Sequence, residues 1–363
     1  MRRAMKCLWF LGLAGIATLA VANCAAQEII DPEVARKDPD FTIQGEYLGT
    51  GTIFTKEDEL PLKSENGPIG AQVVALGDGK FDVYLLRGGL PGRGWQKYGW
   101  GVCRVHIEGE RQGDVTELRG RFHRGHMIFS LPGGWPDDTD VGEARGRIAD
   151  GKMTLSDAND GGRTAELKRV ERRSPTLGAK PPAEAKVLFD GTTADKFDRG
   201  EMTHWKTLLS GPATKDKFNS YTLHLEFCLS WMPKARGQGR SNSGVYPHDC
   251  YEIQVLDSFG LERRDNECGA LYGLKAPDIN MCSPPLAWQT YDVEFAAPKY
   301  DASGKKTADA QMTVRHNGVV IHNHFDVPRG TPGRQSEGPC PRVLYLQGHG
   351  NKVQFRNIWL VEK

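Results

Sequence analysis

The sequence predicts an all-β protein in which a small antiparallel β domain precedes a β-sandwich. Two features of the whole chain support this class. The 43 glycines and 21 prolines among 363 residues suggest many tight turns. Short runs of alternating apolar and polar residues recur along the chain, as half-buried strands require. A third observation is that the first domain contains no long amphipathic helix.

The first 26 residues have the pattern of a secretory signal peptide. Three basic residues precede an apolar run from Leu8 to Ala22, which is too short for a comfortable membrane span. Lipid attachment at Cys24 is an alternative to simple cleavage. We therefore expect an exported protein, periplasmic or extracellular, with no transmembrane segment and with a lipid anchor as an open alternative.

The charge balance gives no reason to expect nucleic acid or an anionic membrane as a partner. The formal net charge is +1, and without Arg2, Arg3 and Lys6 of the leader 44 basic residues face 46 acidic ones. Six cysteines remain after the leader, and Cys268 and Cys282 flank one loop and form the first pair to test for a disulfide. Their spacing does not match a zinc site.

Residues 40–172 are predicted to form the first domain. The segment AQVVALGDGKFDVYLLRGGLP places Val73 and Val83 on either side of a GDG turn and predicts a hairpin. ELRGRFHRGHMIFSL and EARGRIADGKMTLSD have the same form, so we expect a small antiparallel barrel or sandwich whose role stays open. The proline-rich residues 173–186 should be an extended, semi-rigid linker.

Residues 187–363 are predicted to form the sandwich. In YTLHLEFCLS, alternate residues from Tyr221 to Phe227 form an apolar face, and TYDVEF repeats the pattern. Asn317-Gly318 is a strong type I′ hairpin signal. Two packed antiparallel sheets would let one sheet present a polar concave face, where sugars usually bind.

The segment RSNSGVYPHDCYEIQVLD, from Arg240 to Asp257, predicts two strands joined by a turn. Alternation places Glu252 and Gln254 on one face, together with Cys250 and Leu256, with the carboxylate and the amide about 7 Å apart. Glu252 is a carboxylate in the middle of an apolar strand, which indicates a functional site. A solvated sheet face is the alternative to a functional site.

Six blocks follow one another in this half of the chain: SNSGVY, YEIQVLDSFG, ECGALYG, PP..W.TYDVEF, VRHNGVVIH and LYLQGHGNKVQFRNIWL. With these blocks, the chain from Val187 to its C-terminus resembles the 3-keto-disaccharide hydrolase family. The resemblance implies a concanavalin A-like jelly-roll β-sandwich that acts on 3-keto-glycosides.

The resemblance also implies a reaction. The ketone at C3 acidifies the C2 hydrogen, a base removes it, the aglycone leaves C1, and water adds to the 2-hydroxy-3-keto-glucal. Such a reaction needs a general base, a proton donor and hydrogen bonds to the enolate oxygen. It needs no nicotinamide, and no cofactor is assigned, although a divalent metal stays an alternative to side-chain donors.

Three residues are candidates for catalysis. Glu252 is the first candidate for the base, with a structural pairing to Arg240 as the alternative. His349, in LQGHGN, could move protons because histidine titrates near neutrality, or could simply serve the turn. Asp257 could take part in catalysis or cap the turn that follows it.

Six residues are candidates for substrate contacts. Arg240, Asn242, Gln254 and Gln347 could donate to sugar hydroxyls or to the enolate, whereas Tyr272 and Trp288 could stack on a sugar ring or belong to the core. His322 and His324 could share a metal or lie on a solvated hairpin face. An oligosaccharide or glycoside is the expected substrate.

Two departures from the family leave rival functions open. The family commonly has an acid where this chain has Ala287 before Trp288, and another where it has Gly348. The missing acids favour a non-catalytic carbohydrate-binding module. A conventional glycoside hydrolase would need two carboxylates roughly 5–10 Å apart, and an envelope or matrix interaction protein is a further alternative.

Overall fold

The computed structural model describes residues 27–52, 67–95, 104–123 and 141–363. Within these ranges almost all regular structure is β-strand, which confirms the all-β prediction. The two α-helices, α1 (Pro32–Ala35) and α2 (Pro39–Ile43), are short. No helix in the described part of the chain has the length and hydropathy that a bilayer crossing needs. The predictions for the leader and for Cys24 concern residues outside these ranges.

Both helices begin at an aspartate followed by a proline. The carboxylates of Asp31 and Asp38 accept hydrogen bonds from the backbone N–H groups of Glu33 and Asp40, at 2.8 Å and 3.0 Å. An N-cap carboxylate satisfies a backbone donor that the first turn leaves free, and proline suits that turn because it has no N–H to satisfy.

Eight strands of the N-terminal half close into an antiparallel barrel. They are β1 (Gly45–Gly51), β2 (Gly67–Gly77), β3 (Lys80–Arg87), β6 (Arg104–Gln112), β7 (Val115–His123), β8 (Val141–Ala149), β9 (Lys152–Asp157) and β10 (Asp160–Val170). Their order around the barrel is β1-β10-β9-β8-β7-β6-β3-β2. A short parallel pair, β4 (Leu90–Pro91) and β5 (Gly94–Trp95), lies outside this order.

The predicted first hairpin is confirmed. β2 pairs with β3 so that Val73 faces Val83, and both side chains are fully buried in the barrel core. Asp78 and Gly79 at the turn have φ of 56° and 74°, the left-handed conformations that a type I′ turn requires. The β8–β9 hairpin is built in the same way, whereas the second half of ELRGRFHRGHMIFSL lies outside the described residues.

The predicted linker, residues 173–186, is not extended but folds as a series of turns against the sandwich. The Ser174 hydroxyl lies 2.6 Å from the Thr290 hydroxyl, and the Gly178 N–H donates to Glu226 at 2.6 Å. Trp359 donates its indole N–H to the Ala179 carbonyl at 3.4 Å. Polar side chains on the outer face of a sheet therefore hold this segment in place, which its composition alone does not reveal.

The C-terminal half contains two main sheets. The seven-stranded sheet consists of β11 (Lys186–Phe189), β24 (Gln354–Glu362), β15 (Tyr221–Cys228), β18 (Trp288–Ala296), β21 (Ala310–His316) and β22 (Val319–Val327), in that order, with β13 (Leu208–Leu209) paired to β24. The five-stranded sheet has the order β12 (Phe197–Asp198), β14 (Ala213–Thr214), β23 (Tyr345–Leu346), β16 (Ser243–Tyr246) and β17 (Ile253–Val255). A small third sheet pairs β19 (Lys299–Tyr300) with β20 (Lys306–Ala308).

Apolar faces of the two main sheets form one core. Leu223 and Phe227 of β15 are fully buried, as predicted, and share a cluster with Val245 and Ile253 of the smaller sheet. Asn317 and Gly318 turn between β21 and β22 with φ of 50° and 79°, which confirms the predicted hairpin turn. The jelly-roll strand order implied by the resemblance, and the domain boundaries, stay predictions.

Alternation along the last strand changes at Asn357. Phe355 and Ile358 are both fully buried although three positions separate them. A β-bulge explains this, because the register between β15 and β24 shifts beside Asn357, whose φ is 46°. The bulge directs the Asn357 amide to the outer face, where it donates to the Ala179 carbonyl at 3.0 Å.

The barrel and the sandwich each bury a side chain in the core of the other. Trp231, from the sandwich half, is fully buried in the barrel core and packs edge-on against Phe41 at 5.2 Å between ring centroids. Val74, from the barrel, packs in the sandwich core. The backbone of Ile29 pairs with that of Trp231, so the chain crosses this junction before it enters the barrel. The reciprocal burial fixes the two halves together.

Cys268 and Cys282 are both buried and close enough to interact, but no described cysteine forms a disulfide. Cys268 Sγ lies 3.4 Å from the Tyr291 hydroxyl, and the Cys282 thiol donates to the Leu256 carbonyl at 3.5 Å. The structure therefore brings together the two cysteines that their loop positions suggested. Cys103 lies outside the described residues.

Candidate active site

The five-stranded sheet turns an apolar face to the core and a polar face away from it. Val245 pairs with Ile253 in the core, and the neighbouring Gly244 pairs with Gln254 on the polar face. Glu252 lies on this polar face with Gln254, as predicted. Cys250 and Leu256 were predicted on the same face, but both are in the core, because β17 is only three residues long and the alternation ends with it.

A glycine makes room for the Glu252 carboxylate. A Cβ atom on Gly244 would lie 2.5 Å from Glu252 Oε1 and 2.8 Å from Cε2 of Tyr246. Both distances are shorter than any real carbon contact, so a side chain at this position would displace the carboxylate. Glycine is therefore required at position 244 because the Glu252 and Tyr246 side chains approach its Cα closely, and not because of its backbone conformation.

Burial dominates the electrostatics of Glu252. Its side chain is 3% exposed, and among the described residues it has no cationic partner. Desolvation raises the pKa of Glu252 from 4.5 to about 7, while a hydrogen bond from the Tyr246 hydroxyl opposes this rise. The backbone N–H of Glu252 donates to Thr331 Oγ1 at 2.8 Å, which fixes the position of the residue. Glu252 is therefore a carboxyl that titrates near neutral pH.

A second hydrogen bond extends the cluster to Gln347. The Gln347 amide donates to the Tyr246 hydroxyl at 2.8 Å, which leaves the phenolic proton for Glu252. Burial and the nearby carboxylate raise the pKa of Tyr246, so its phenol stays protonated. The Gln347 Oε1 atom is buried and has no hydrogen-bond partner among the described residues. Its hydrogen-bonding capacity is therefore unused within the described structure.

A second set of amides lies along the same face. Asn242 donates to the backbone and side-chain oxygens of Gln238, at 2.8 Å and 3.1 Å, and Gln254 donates to the same side-chain oxygen at 3.0 Å. The Asn242 Oδ1 atom is buried and lacks a partner in the described structure. The polar face therefore has two buried acceptor oxygens, on Asn242 and Gln347, that no donor of the described residues satisfies.

Two loops close over this face. The backbone N–H of Tyr272 donates to the Glu252 carbonyl at 3.1 Å. From the loop between β22 and β23, Arg334 lies 3.6 Å above the Tyr345 ring, and a Cβ on Gly333 would lie 2.9 Å from the Tyr246 hydroxyl. The strong burial of Glu252 is the result of this cover.

Asp257 and Arg240 form a buried ion pair. Arg240 Nε donates to the Asp257 carboxylate at 2.5 Å, and both side chains are almost fully buried. Asp257 also accepts from the Phe259 N–H at 3.3 Å, the turn-capping role that was its alternative. Arg240 reaches the Ala75 carbonyl of the barrel at 3.4 Å. These contacts favour a structural role for both residues, and the alternative pairing of Arg240 with Glu252 is not formed.

The turn that carries His349 is exposed to solvent. It lies between Gln347 and Asn351, and Asn351 accepts from the backbone N–H of Asn242 at 2.9 Å. No hydrogen bond joins the His349 side chain to Glu252 within the described residues. His349 therefore lies beside the polar face but not in the Glu252 cluster.

Trp288 lies on the other sheet, away from Glu252. It begins β18, and its ring lies beneath the Arg356 guanidinium at 3.9 Å, on the outer face of the seven-stranded sheet. Trp288 is neither in the core nor beside Glu252. Ala287 lines the same cavity as Trp288, so an acid at this position would also lie away from Glu252. Gly348, by contrast, donates its N–H to the Tyr345 hydroxyl at 3.2 Å, close to the polar face.

The described residues contain no group of three His, Cys, Asp or Glu side chains that could hold a metal. His322 is buried and 2.7 Å from the Gly269 carbonyl, and burial lowers its pKa to about 4, whereas His324 is exposed. The two histidines do not share an environment.

Sequence reasoning missed Tyr246, Thr331 and Arg334. Tyr246 could have been found, because alternation in SGVY places it opposite the buried Val245. Thr331 and Arg334 belong to a loop without a repeating pattern, so only the folded structure brings them to the site.

Two solved structures are similar to this half of the chain. A solved structure from Parabacteroides distasonis, of a provisionally assigned glycosyl hydrolase, is 28% identical, covers 50% of this chain and 85% of its own, and has a TM-score of 0.46. A second provisionally assigned glycosyl hydrolase from the same organism is 17% identical, covers 50% of this chain and 94% of its own, and has a TM-score of 0.37. A comparison with curated proteins found no match.

The family comparison matches residues 184–361, and its description supports a carbohydrate-active function for this half of the chain. The match covers the sandwich and all of the polar face. These residues match the model of the 3-keto-alpha-glucoside-1,2-lyase-like domain family.

Proposed function

We propose that the C-terminal domain cleaves 3-keto-glycosides with Glu252 as the general base. The observation that carries this proposal is the state of the Glu252 carboxyl. It is buried without a cationic partner in the described structure, is held by one phenolic hydrogen bond, and has a pKa near 7. A base poised at the working pH is the most effective one for removing a carbon-bound proton.

The proposed reaction balances without a cofactor. Glu252 takes the proton from C2, and the electrons of the C–H bond form an enolate that the C3 ketone stabilises. The C1–O bond then breaks as a C1–C2 double bond forms, and the aglycone oxygen takes a proton. Water finally adds its hydroxyl to C1 and a proton to C2, which gives the free 3-keto sugar.

The surrounding side chains have roles in holding the substrate. Asn242 Oδ1 and Gln347 Oε1 have no donor among the described residues, so sugar hydroxyls suit them once the loop over the polar face has opened. Tyr272 adjoins Glu252 through the backbone and stays a candidate for ring stacking, and Gln254 contributes to the amide row. His349 stays our candidate for protonating the leaving oxygen, because its exposed turn follows Gln347 directly. Asp257 and Arg240 have no role in this proposal.

Substrate must displace part of the cover to reach Glu252. At 3% exposure the carboxyl cannot meet a sugar ring in the closed form. The loop with Thr331, Gly333 and Arg334 is the segment that would move, since it lies over Tyr246 and Tyr345. Such a closing loop would also exclude water during proton removal.

The test is to incubate the purified full chain with an aryl 3-keto-glucoside and with its unoxidised parent, and to measure release of the aglycone. We expect release from the keto form alone, because only the ketone acidifies C2. Release from both forms at similar rates would instead indicate a conventional glycosidase.

A carbohydrate-binding module is the second candidate, and Gly348 favours it. This position lacks the family's usual acid and lies beside the polar face. Binding of the keto-glucoside without any release would support this candidate and reject the catalytic one.

A further inference from the structure

A basic cleft lies on the opposite side of the sandwich from Glu252. Its volume is about 570 Å³, and it is lined by the end of the barrel, the segment after β10 and the start of β18. Two glutamates also line it, against five arginines: Arg36, Arg169, Arg172, Arg173 and Arg356. The lining therefore carries an excess of positive charge, although the whole chain is almost neutral.

Some of this charge is already neutralised. Arg172 forms a two-pronged ion pair with Glu46, at 2.6 Å and 2.5 Å, and Arg356 donates to Glu226 at 2.6 Å. Arg173, in contrast, is exposed and has no ion-pair partner among the described residues. The only ion pair of Arg169 among the described residues is a long one with Glu171, at 3.4 Å. Arg36 is paired with Glu33, so Arg169 and Arg173 are the arginines left for a ligand.

Two buried nitrogen donors in the lining lack acceptors. Gln44 is 1% exposed, and its Oε1 atom accepts from the Ala75 N–H at 2.9 Å, which leaves its Nε2 atom unpartnered in the described structure. The Nε atom of Arg169 is likewise buried without an acceptor, while its Nη2 atom donates to the Gln44 carbonyl at 3.1 Å. Both atoms are covered by protein, so they add unsatisfied donors beneath the cleft and not direct ligand contacts. The arginines at the cleft surface suit a ligand whose oxygen atoms carry negative charge.

The same cleft contains an aromatic surface. Trp288 lines it beneath Arg356, and the two residues also line a neighbouring cavity of about 300 Å³. That second cavity contains Trp205, which is 39% exposed. Tryptophan rings give the flat apolar contact that the faces of sugar rings prefer.

We propose that this cleft binds an acidic carbohydrate, a sugar whose carboxylate or sulfate group is held by Arg169 and Arg173 while its ring lies toward Trp288. The arginines would bind the oxyanion of the sugar, and the tryptophans would contact its ring. The site is separate from Glu252 and does not depend on the reaction proposed there. It would hold the protein on an acidic polysaccharide.

The test is calorimetric titration of the full chain with oligogalacturonate, with a sulfated oligosaccharide and with a neutral oligosaccharide of equal length. We expect binding of one or both acidic sugars, at least tenfold weaker binding of the neutral one, and a loss of affinity as salt increases. Which acidic sugar binds more tightly distinguishes carboxylate from sulfate. At equal ionic strength, inorganic sulfate should compete more weakly than the sulfated oligosaccharide, because it has no sugar ring to contact Trp288.

Variants tie the binding to the cleft. Arg173→Gln and Trp288→Ala should each weaken binding of the acidic sugar about tenfold or more, and thermal unfolding will show whether each variant is folded. Arg145→Gln is the matched control, because Arg145 is an exposed arginine of the barrel paired with Glu143. Cleavage of the 3-keto-glucoside should be unchanged in all three. Equal binding of neutral and acidic sugars, no binding, or full affinity in both cleft variants would overturn the proposal.

Discussion

Glu252 and Asp257 are five positions apart, and each is 3% exposed, yet the two ends of this segment have opposite environments. Asp257 is ion-paired with Arg240 and accepts a backbone N–H. Glu252 has a tyrosine hydroxyl and no cation in the described structure, so its pKa rises to about 7. Burial alone therefore does not identify a catalytic carboxyl. Asp257 and Glu252 differ in whether a cation balances the negative charge. A carboxylate paired with a cation is stabilised, whereas an unpaired one remains reactive.

The largest expected effect is on the reaction at Glu252. Glu252→Gln should lower the rate of aglycone release from a 3-keto-glucoside by a factor of about 10² to 10⁴, the usual contribution of a general base. Glu267→Gln is the matched control. Burial also raises the pKa of Glu267, but its carboxylate accepts a hydrogen bond from Ser258 and is not part of the polar face. A Glu252→Gln variant with full activity would remove the assignment.

The next largest effect is on stability at Asp257. Asp257→Asn should lower the free energy of unfolding by about 3–5 kcal/mol, because it leaves the buried Arg240 without its counter-charge. Chemical denaturation of the variant measures this loss. A loss below about 1 kcal/mol would contradict the structural role assigned to Asp257.

Glu252 should show the reverse effect on stability. Because its pKa in the folded state exceeds its unfolded value, the folded protein loses stability as pH rises from about 4.5 to about 7, and the loss persists above pH 7. Glu252→Gln removes this penalty, so we expect a gain of up to about 3 kcal/mol at pH 8 and little gain at pH 4. Denaturation curves at the two pH values measure it, and a destabilised variant at pH 8 would contradict the account.

The smallest effect concerns Tyr246. Its hydrogen bond lowers the pKa of Glu252, so Tyr246→Phe should raise that pKa further. A rise of about one unit would reduce the ionised fraction at pH 7 from about one half to about one tenth, with recovery of the rate at higher pH. A loss of rate that is equal at pH 7 and pH 9 would indicate that Tyr246 acts in some other way.

The sequence predicted most of the strand pattern and part of the site. Alternation placed Glu252 and Gln254 correctly on one face, because their environment depends on local backbone geometry. It failed for Cys250 and Leu256, since the length of β17 is set by the turns around it. Trp288 was grouped with Glu252 although the two lie on different sheets. No local pattern reveals which faces of two sheets come together.

The pairing of Arg240 with Asp257 also shows the limit of sequence reasoning. Both residues were candidates for the reaction, and Arg240 was an alternative partner for Glu252. The choice depends on where the Arg240 side chain points, and its contact with the barrel at Ala75 decides that. Such a contact between the two halves of the chain depends on tertiary packing and not on local sequence.

The pH dependence of kcat/KM for a 3-keto-glucoside tests the central claim most directly. If Glu252 is the base, kcat/KM should rise with pH and reach half of its plateau near pH 7, where this carboxyl loses its proton. A rate that does not change between about pH 5 and pH 9, or that is already at its plateau at pH 5, would contradict the account.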